Sequence, residues 1–252
     1  MTRRLNLRQG DILVSTDYSE TNWKYAFVLT ADCDLWNQKF GNYLTVIPIV
    51  DANFYIENIY CSDQIQSEID RICSRFCQLN GHSIDVDFFY EHIFTTDVEK
   101  LISRYPGVGS LSELPYLQDY RDGKINAIDA LKGVCSVRNG SFDKRLRQAL
   151  TTMRLEHFFL NELPSVPGLG FVALLRMPTI FDVRKVTLAA TDMNHSCVGE
   201  FAYRGGSLSD GLRFAVAQAF ANVFSRIGLE TSFEQDRENI ISIIVESHQS
   251  ER

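Results

Sequence analysis

Three apolar, strand-like runs are packed into the first fifty residues, and this spacing constrains the fold more than any other feature of the chain. Gln9-Gly-Asp-Ile-Leu-Val14 opens an extended run. Tyr25-Ala-Phe-Val-Leu-Thr30 is almost wholly apolar, as expected of a strand buried on both faces. Tyr43-Leu-Thr-Val-Ile-Pro-Ile-Val50 is β-branched and ends near Pro48. The connections, residues 16–22 and 37–42, are polar and rich in turn formers. Three strands joined this closely predict a meander that curls into a small barrel.

The middle of the chain changes period. Ser62 or Asp63 can cap a helix reaching Leu79, with Ile65, Ile69, Ile72, Cys73, Phe76 and Leu79 on one face and Asn80-Gly81 as the stop. Thr96-Asp-Val-Glu99 has the form of a capping box for a second helix that ends before Tyr105-Pro-Gly. Residues 106–124, rich in Pro, Gly and Ser, read as a surface excursion, and a third helix is predicted from Phe142 to Leu155. Strands return at His157–Leu160 and Gly170–Arg176, which suit a hairpin with a long loop, and at Val183–Ala189 and Val198–Tyr203. Ser207 is placed as the N-cap of a helix over 208–227, with Asp210 in its first turn and Gly228 at its end. The stripe Leu208, Leu212, Ala215, Val216, Ala219, Phe220, Val223, Phe224 and Ile227 must be buried in the core or against a partner. Ile240–Val245 is a last apolar run.

Composition narrows the classes. The chain has 252 residues, 45% of them hydrophobic, and a net charge of −7, a balance that argues against strong non-specific binding to nucleic acid. No apolar run approaches the ~20 residues that cross a bilayer, and no signal core follows the basic start. The six cysteines are therefore expected as reduced thiols in the cytoplasm.

Gln9-Gly-Asp-Ile-Leu and Phe27-Val-Leu-Thr-Ala-Asp-Cys-Asp-Leu35 together resemble the opening of PemK/MazF-like toxins. With Ala217-Gln-Ala-Phe-Ala-Asn-Val-Phe-Ser-Arg-Ile-Gly-Leu229 added, the chain is similar to a bacterial group from mobile and conflict-related gene neighbourhoods. The resemblance implies an α+β fold. Residues 1–55 would form an SH3-like, PemK-like barrel, with strands from 157–203 available to complete it. Residues 56–156 would be a mainly helical segment or insertion, and residues 157–252 would hold strands plus the amphipathic helix 208–227. PemK/MazF-like toxins are metal-independent endoribonucleases, often dimeric, which use a basic residue before the apolar strand and a hydroxyl at its end. Thr30 matches the hydroxyl. The Arg is missing: Lys24 is the nearest cation, and a point charge does not reproduce the bidentate fork that Arg offers a phosphate.

The catalytic candidates are accordingly Lys24, Thr30, Asp32 and Asp34, the two carboxylates serving as proton-transfer groups only with a raised pKa. Asp32-Cys33-Asp34, with Asn37, can also be read as a metal-binding trio without a preferred metal, or as a structural turn with Cys33 buried. Cys73 and Cys77 with His82 lie at a zinc-like spacing but on an apolar face, which favours core cysteines. His195-Ser-Cys197 reads as a loop, and His157 as a partly buried histidine. Arg138, Lys144, Arg147 and Arg154, with Arg145, form a basic strip suited to phosphate or an acidic partner, or to plain solvation. The expected function is a binding or adaptor component of a bacterial antiviral-defence or toxin–antitoxin system. It would take a protein from the same system or RNA as partner, without metal, cofactor or membrane. The alternatives are a PemK/MazF-type endoribonuclease and a homodimerising structural protein.

Overall fold

The computed structural model describes residues 6–79, 95–105, 111–168, 170–188 and 201–225. β1 (Asp11–Ser15), β2 (Tyr25–Val28) and β3 (Tyr43–Asp51) form the predicted antiparallel meander, with a short helix, α1 (Tyr18–Thr21), between β1 and β2, Ile12 opposite Phe27 and Phe27 opposite Ile47. The meander does not stand alone. β8 (Ala202–Ser207) pairs antiparallel with the free side of β1. β5 (Phe171–Leu174) and β6 (Thr179–Asp182) share the free side of β3, each covering part of it. β4 (His157–Leu160) pairs with β5 as the expected hairpin, and β7 (Val186–Thr187) runs parallel to β8. The chain is thus α+β, built on one eight-stranded mixed sheet in the order β4-β5-β3-β2-β1-β8-β7, with β6 also on β3.

The pairing does not close into a barrel among the described residues, since β4 and β7 are each paired on one side only. The sheet is nevertheless bent. β6 and β7 are separated by one turn of 3-10 helix, Val183–Lys185, in place of the single strand predicted there. Four residues of chain reach at most about 14 Å. The five strand-to-strand steps from β6 to β7 would span about 24 Å if flat. Closure would need β6 and β7 to pair with each other, and the 3-10 turn is where the chain crosses the gap instead. Inside the bend, Leu13, Ala26, Val28, Leu44, Val46 and Phe181 meet in one apolar cluster. The alternate residues Ile12, Tyr25, Phe27, Ile47 and Ile49 face outward, as the two-residue period of a strand requires.

That outward face is covered by α9 (Asp210–Phe224), whose Val216 and Val223 are buried there. The helix starts later than the sequence suggests. Ser209 is its N-cap, while Ser207 ends β8 and donates its hydroxyl to Asp11. The wide stripe is only partly used, because Leu212 and Phe224 remain exposed. Ile227, Gly228 and the run 240–245 lie outside the described residues.

Between β3 and β4 the chain runs through helices with a core of their own. Asp51 caps α3 (Ala52–Phe54), which continues through a π-helical turn (Tyr55–Tyr60) into α4 (Cys61–Leu79), so the helix begins a full turn and more before Ser62. α5 (Val98–Arg104) is capped by Asp97 rather than Thr96. Residues 111–124 are not the predicted surface excursion. They contain α6 (Leu114–Arg121), whose Leu114 and Leu117 are buried, with Leu111 just before the helix, against Ile65, Ile72 and Phe76 of α4. α7 (Ala127–Val137), unforeseen in the sequence reading, adds Ala130, Leu131 and Val134. α8 (Phe142–Thr151) follows, capped by Ser141. The helices meet the sheet through a small cluster of Tyr55, Val172 and Leu174.

Candidate functional site

Two places collect the residues singled out in the sequence: the corner after β2 and the flank of α8. At the corner, β2 ends and Thr30 turns the chain into α2 (Asp32–Trp36), so the predicted turn is a short helix. The Thr30 hydroxyl accepts the Thr45 N–H at 2.8 Å and extends the β2–β3 ladder past its last paired residue. Asp32 Oδ1 accepts the Gln9 N–H at 2.8 Å, and its Oδ2 lies 2.9 Å from Arg213 Nη1. Asp34 is half-buried, and Cys33 is exposed, not buried as the turn reading had it.

Lys24 does not join them. It precedes β2 and Thr30 follows it, six residues apart along an extended strand, or roughly 20 Å. Its ammonium lies 5.3 Å from the Tyr25 ring centroid. The cation at the corner is instead Arg213, brought in from α9, with its side chain only 17% exposed and its Nε 3.1 Å from Asp210. It was missed because nothing local links residue 213 to residue 32. The Gly10 of the Gln-Gly-Asp run now has a reason: its φ is +92°, and a Cβ there would sit 2.6 Å from Arg213 Cβ.

The outward face beyond α9 is open at its lower end. Tyr43 and Thr45 on β3 share that face with Ile180 on β6, which lies opposite Thr45. Tyr43 is 56% exposed and Ile180 71%, and Trp36 on α2 is 86% exposed.

On the helical side, two adjoining cavities of about 290 and 220 Å³ flank α8. Arg154 lines the first and Arg138 and Lys144 the second, while Arg145 and Gln148 stand between them. Arg147 lines neither. Behind the cavities, buried Glu68 and Glu113 are shared by three arginines. Arg71 Nε, Arg138 Nη2 and Arg145 Nη1 lie 2.9, 2.8 and 3.3 Å from Glu68, and Arg138 Nη2 and Arg71 also reach Glu113. Arg154 is 3.0 Å from Asp63.

His157 is half-buried, as expected, and its Nδ1 lies 3.2 Å from the Tyr55 hydroxyl at the rim of the larger cavity. Burial lowers its pKa from the ordinary 6.5, with nearby Glu156 and Asp63 opposing and Arg154 assisting. The folded state therefore binds this proton less readily than the unfolded chain. The stability involved is intact above pH 6.5 and is lost as pH falls below it through the depressed folded value. Thermal melts at pH 7.5 and 5.5 should show a drop that shrinks in His157→Gln.

Burial also raises the Cys61 thiol to about 11. Cys61, Cys73 and Cys135 are buried, Cys33 is exposed, and none of the four is in a disulfide. Timed labelling of the native protein with a thiol reagent, read by peptide mapping, is expected to modify Cys33 well before those three. The Cys77 side chain and His82, His195 and Cys197 lie outside the described residues. Among the described residues no three His, Cys, Asp or Glu side chains group as a metal site, and no helix is long and apolar enough to cross a membrane. Comparison with protein-family models, curated proteins and solved structures finds no match to this chain.

Proposed function

We propose that the chain is a binding component of a bacterial defence or toxin-type system, which takes a protein or nucleic-acid partner at the corner after β2 and the adjoining outward face of β3 and β6. In this reading the bent part of the sheet is the SH3-like, PemK-like element, adapted to recognition. One observation carries the proposal: three of the four residues a PemK/MazF-type ribonuclease would need, Lys24, Thr30 and Asp32, are otherwise engaged or apart. The Thr30 hydroxyl holds the Thr45 N–H, both Asp32 oxygens are taken, and Lys24 is at the far end of β2. Exposed Trp36, Tyr43 and Ile180 offer the large side chains on which binding energy concentrates. Labelled RNA incubated with the purified protein should be cut no faster than with the Lys24→Ala and Thr30→Ala variants. Turnover well above those controls would sink the proposal.

The endoribonuclease reading keeps one specific support, Arg213, whose guanidinium stands beside Asp32, two residues from Thr30. If that reading holds, RNA cleavage is present and Arg213→Ala abolishes it. The homodimer reading rests on Leu212, Phe214 and Phe224, exposed on α9. A mass that stays monomeric across a wide concentration range in light scattering would remove it.

A further inference from the structure

We propose that the paired cavities flanking α8 bind a small organic phosphate, its phosphate at the mouth of the smaller cavity against Lys144 and Arg138 and its uncharged, hydrogen-bonding body in the larger one. This site is separate from the corner after β2 and does not depend on the reading given for it.

Among the described residues, no Asp or Glu lines either cavity. Around the smaller one, Arg71, Arg138, Arg145 and Lys144 face two described carboxylates, Glu68 and Glu113, so among the described residues positive charge is in excess. Lys144 makes no ion pair and Arg138 Nη1 no hydrogen bond among the described residues, although the Nε and Nη2 of Arg138 are both engaged by Glu113. Glu113 and Glu68 thus fix the Arg138 guanidinium by one side and leave its other nitrogen for a ligand. A fixed guanidinium beside a mobile ammonium suits the several acceptor oxygens of a phosphate.

Buried Val134 and Cys135 make much of the smaller cavity's wall apolar, which leaves the phosphate at its mouth beside exposed Lys144. The larger cavity is the more polar of the two. Gln64, Gln148, Thr152 and Tyr60 are neutral and can both donate and accept, while Arg154 at its far side is already neutralised by Asp63. That favours a polar, uncharged body rather than a second anion. The cavities hold about 290 and 220 Å³, each below the roughly 300–1,000 Å³ usual for small-ligand sites, so a ligand of that class has to span both. Gln148, between them, can touch both parts of one ligand.

Calorimetric titrations with inorganic phosphate, adenosine 5′-monophosphate and adenosine test this. Inorganic phosphate should bind in the millimolar range, adenosine 5′-monophosphate more tightly and in competition with it, and adenosine not measurably. Lys144→Ala should weaken phosphate binding at least about tenfold, the usual scale for one charge-assisted hydrogen bond. Thr152→Ala, in the lining of the larger cavity alone, should weaken adenosine 5′-monophosphate and spare inorganic phosphate. Both changes are at exposed positions, on α8 and at its C-terminal end, and leave the glutamate network intact, which unaltered melting curves would verify. No saturable phosphate binding, binding indifferent to Lys144→Ala, or nucleoside binding as tight as the nucleotide overturns the site. Equal affinity for phosphate and nucleotide overturns the role of the larger cavity.

Discussion

Phe27→Ala loses about 3–5 kcal/mol of folding stability, read as a large fall in the urea midpoint of unfolding with little change in slope. Phe27 is fully buried at the middle of the sheet, between Ile12 on β1 and Ile47 on β3, with α9 over it. Truncation removes most of its buried ring and leaves a cavity that three strands in register cannot collapse to fill, because their backbones are held by the ladder. Phe27→Leu, which keeps most of the volume, should lose much less. A loss in Phe27→Ala as small as that in Phe27→Leu would mean that the site tolerates a cavity, and that the outward core is looser than its burial indicates.

Glu68→Ala is the second large effect, a loss of about 3 kcal/mol. The side chain is 7% exposed and balances Arg71, Arg138 and Arg145, which come from α4, the end of α7 and α8. Removing it leaves Arg71 and Arg138 sharing Glu113 and Arg145 without a carboxylate, and their repulsion acts between the helices that enclose the second core. The loss falls at the lower end of the range for broken buried pairs because the arginine side chains keep 30–41% exposure, so water takes over part of their solvation. Glu68→Gln keeps the acceptor and removes the charge, and it separates hydrogen bonding from electrostatics. If it were as stable as the parent, charge balance would not be what holds α8 to α4.

Local pattern made much of the architecture legible. The β1–β3 meander, the β4–β5 hairpin and the apolar face of α4 follow from period and turn chemistry. Helices α6 and α7 did not, since Pro115 and the glycines at 106–124 and 133 dominate the local signal. Pro115 is tolerated in the first turn of α6, and Gly133 is where α7 meets Tyr116: a Cβ there would lie 2.2 Å from that ring. The cap of α9 was misplaced by two residues because Ser207 and Ser209 have the same chemistry, and only the pairing of Ser207 with Asp11 distinguishes them. The candidate site shows the same division. Thr30 and Asp32 are neighbours in sequence and in space. Lys24 is close in sequence but strand extension carries it away, and Arg213 is remote in sequence but the packing of α9 brings it in. The basic strip was visible as composition, whereas its sharing of Glu68 and Glu113 required three helices to converge.

The pairing of Asp11 with Ser207 has a consequence for how the chain is made. A ribosome adding about 5–20 residues per second needs tens of seconds between releasing β1 and releasing β8. During that time the helices of residues 52–151 can already settle on one another, whereas one border of β1 has backbone groups with no strand beside them. A nascent chain stalled before Ala202 would expose that border to other strands, so premature termination late in translation should yield aggregates rather than a smaller folded product.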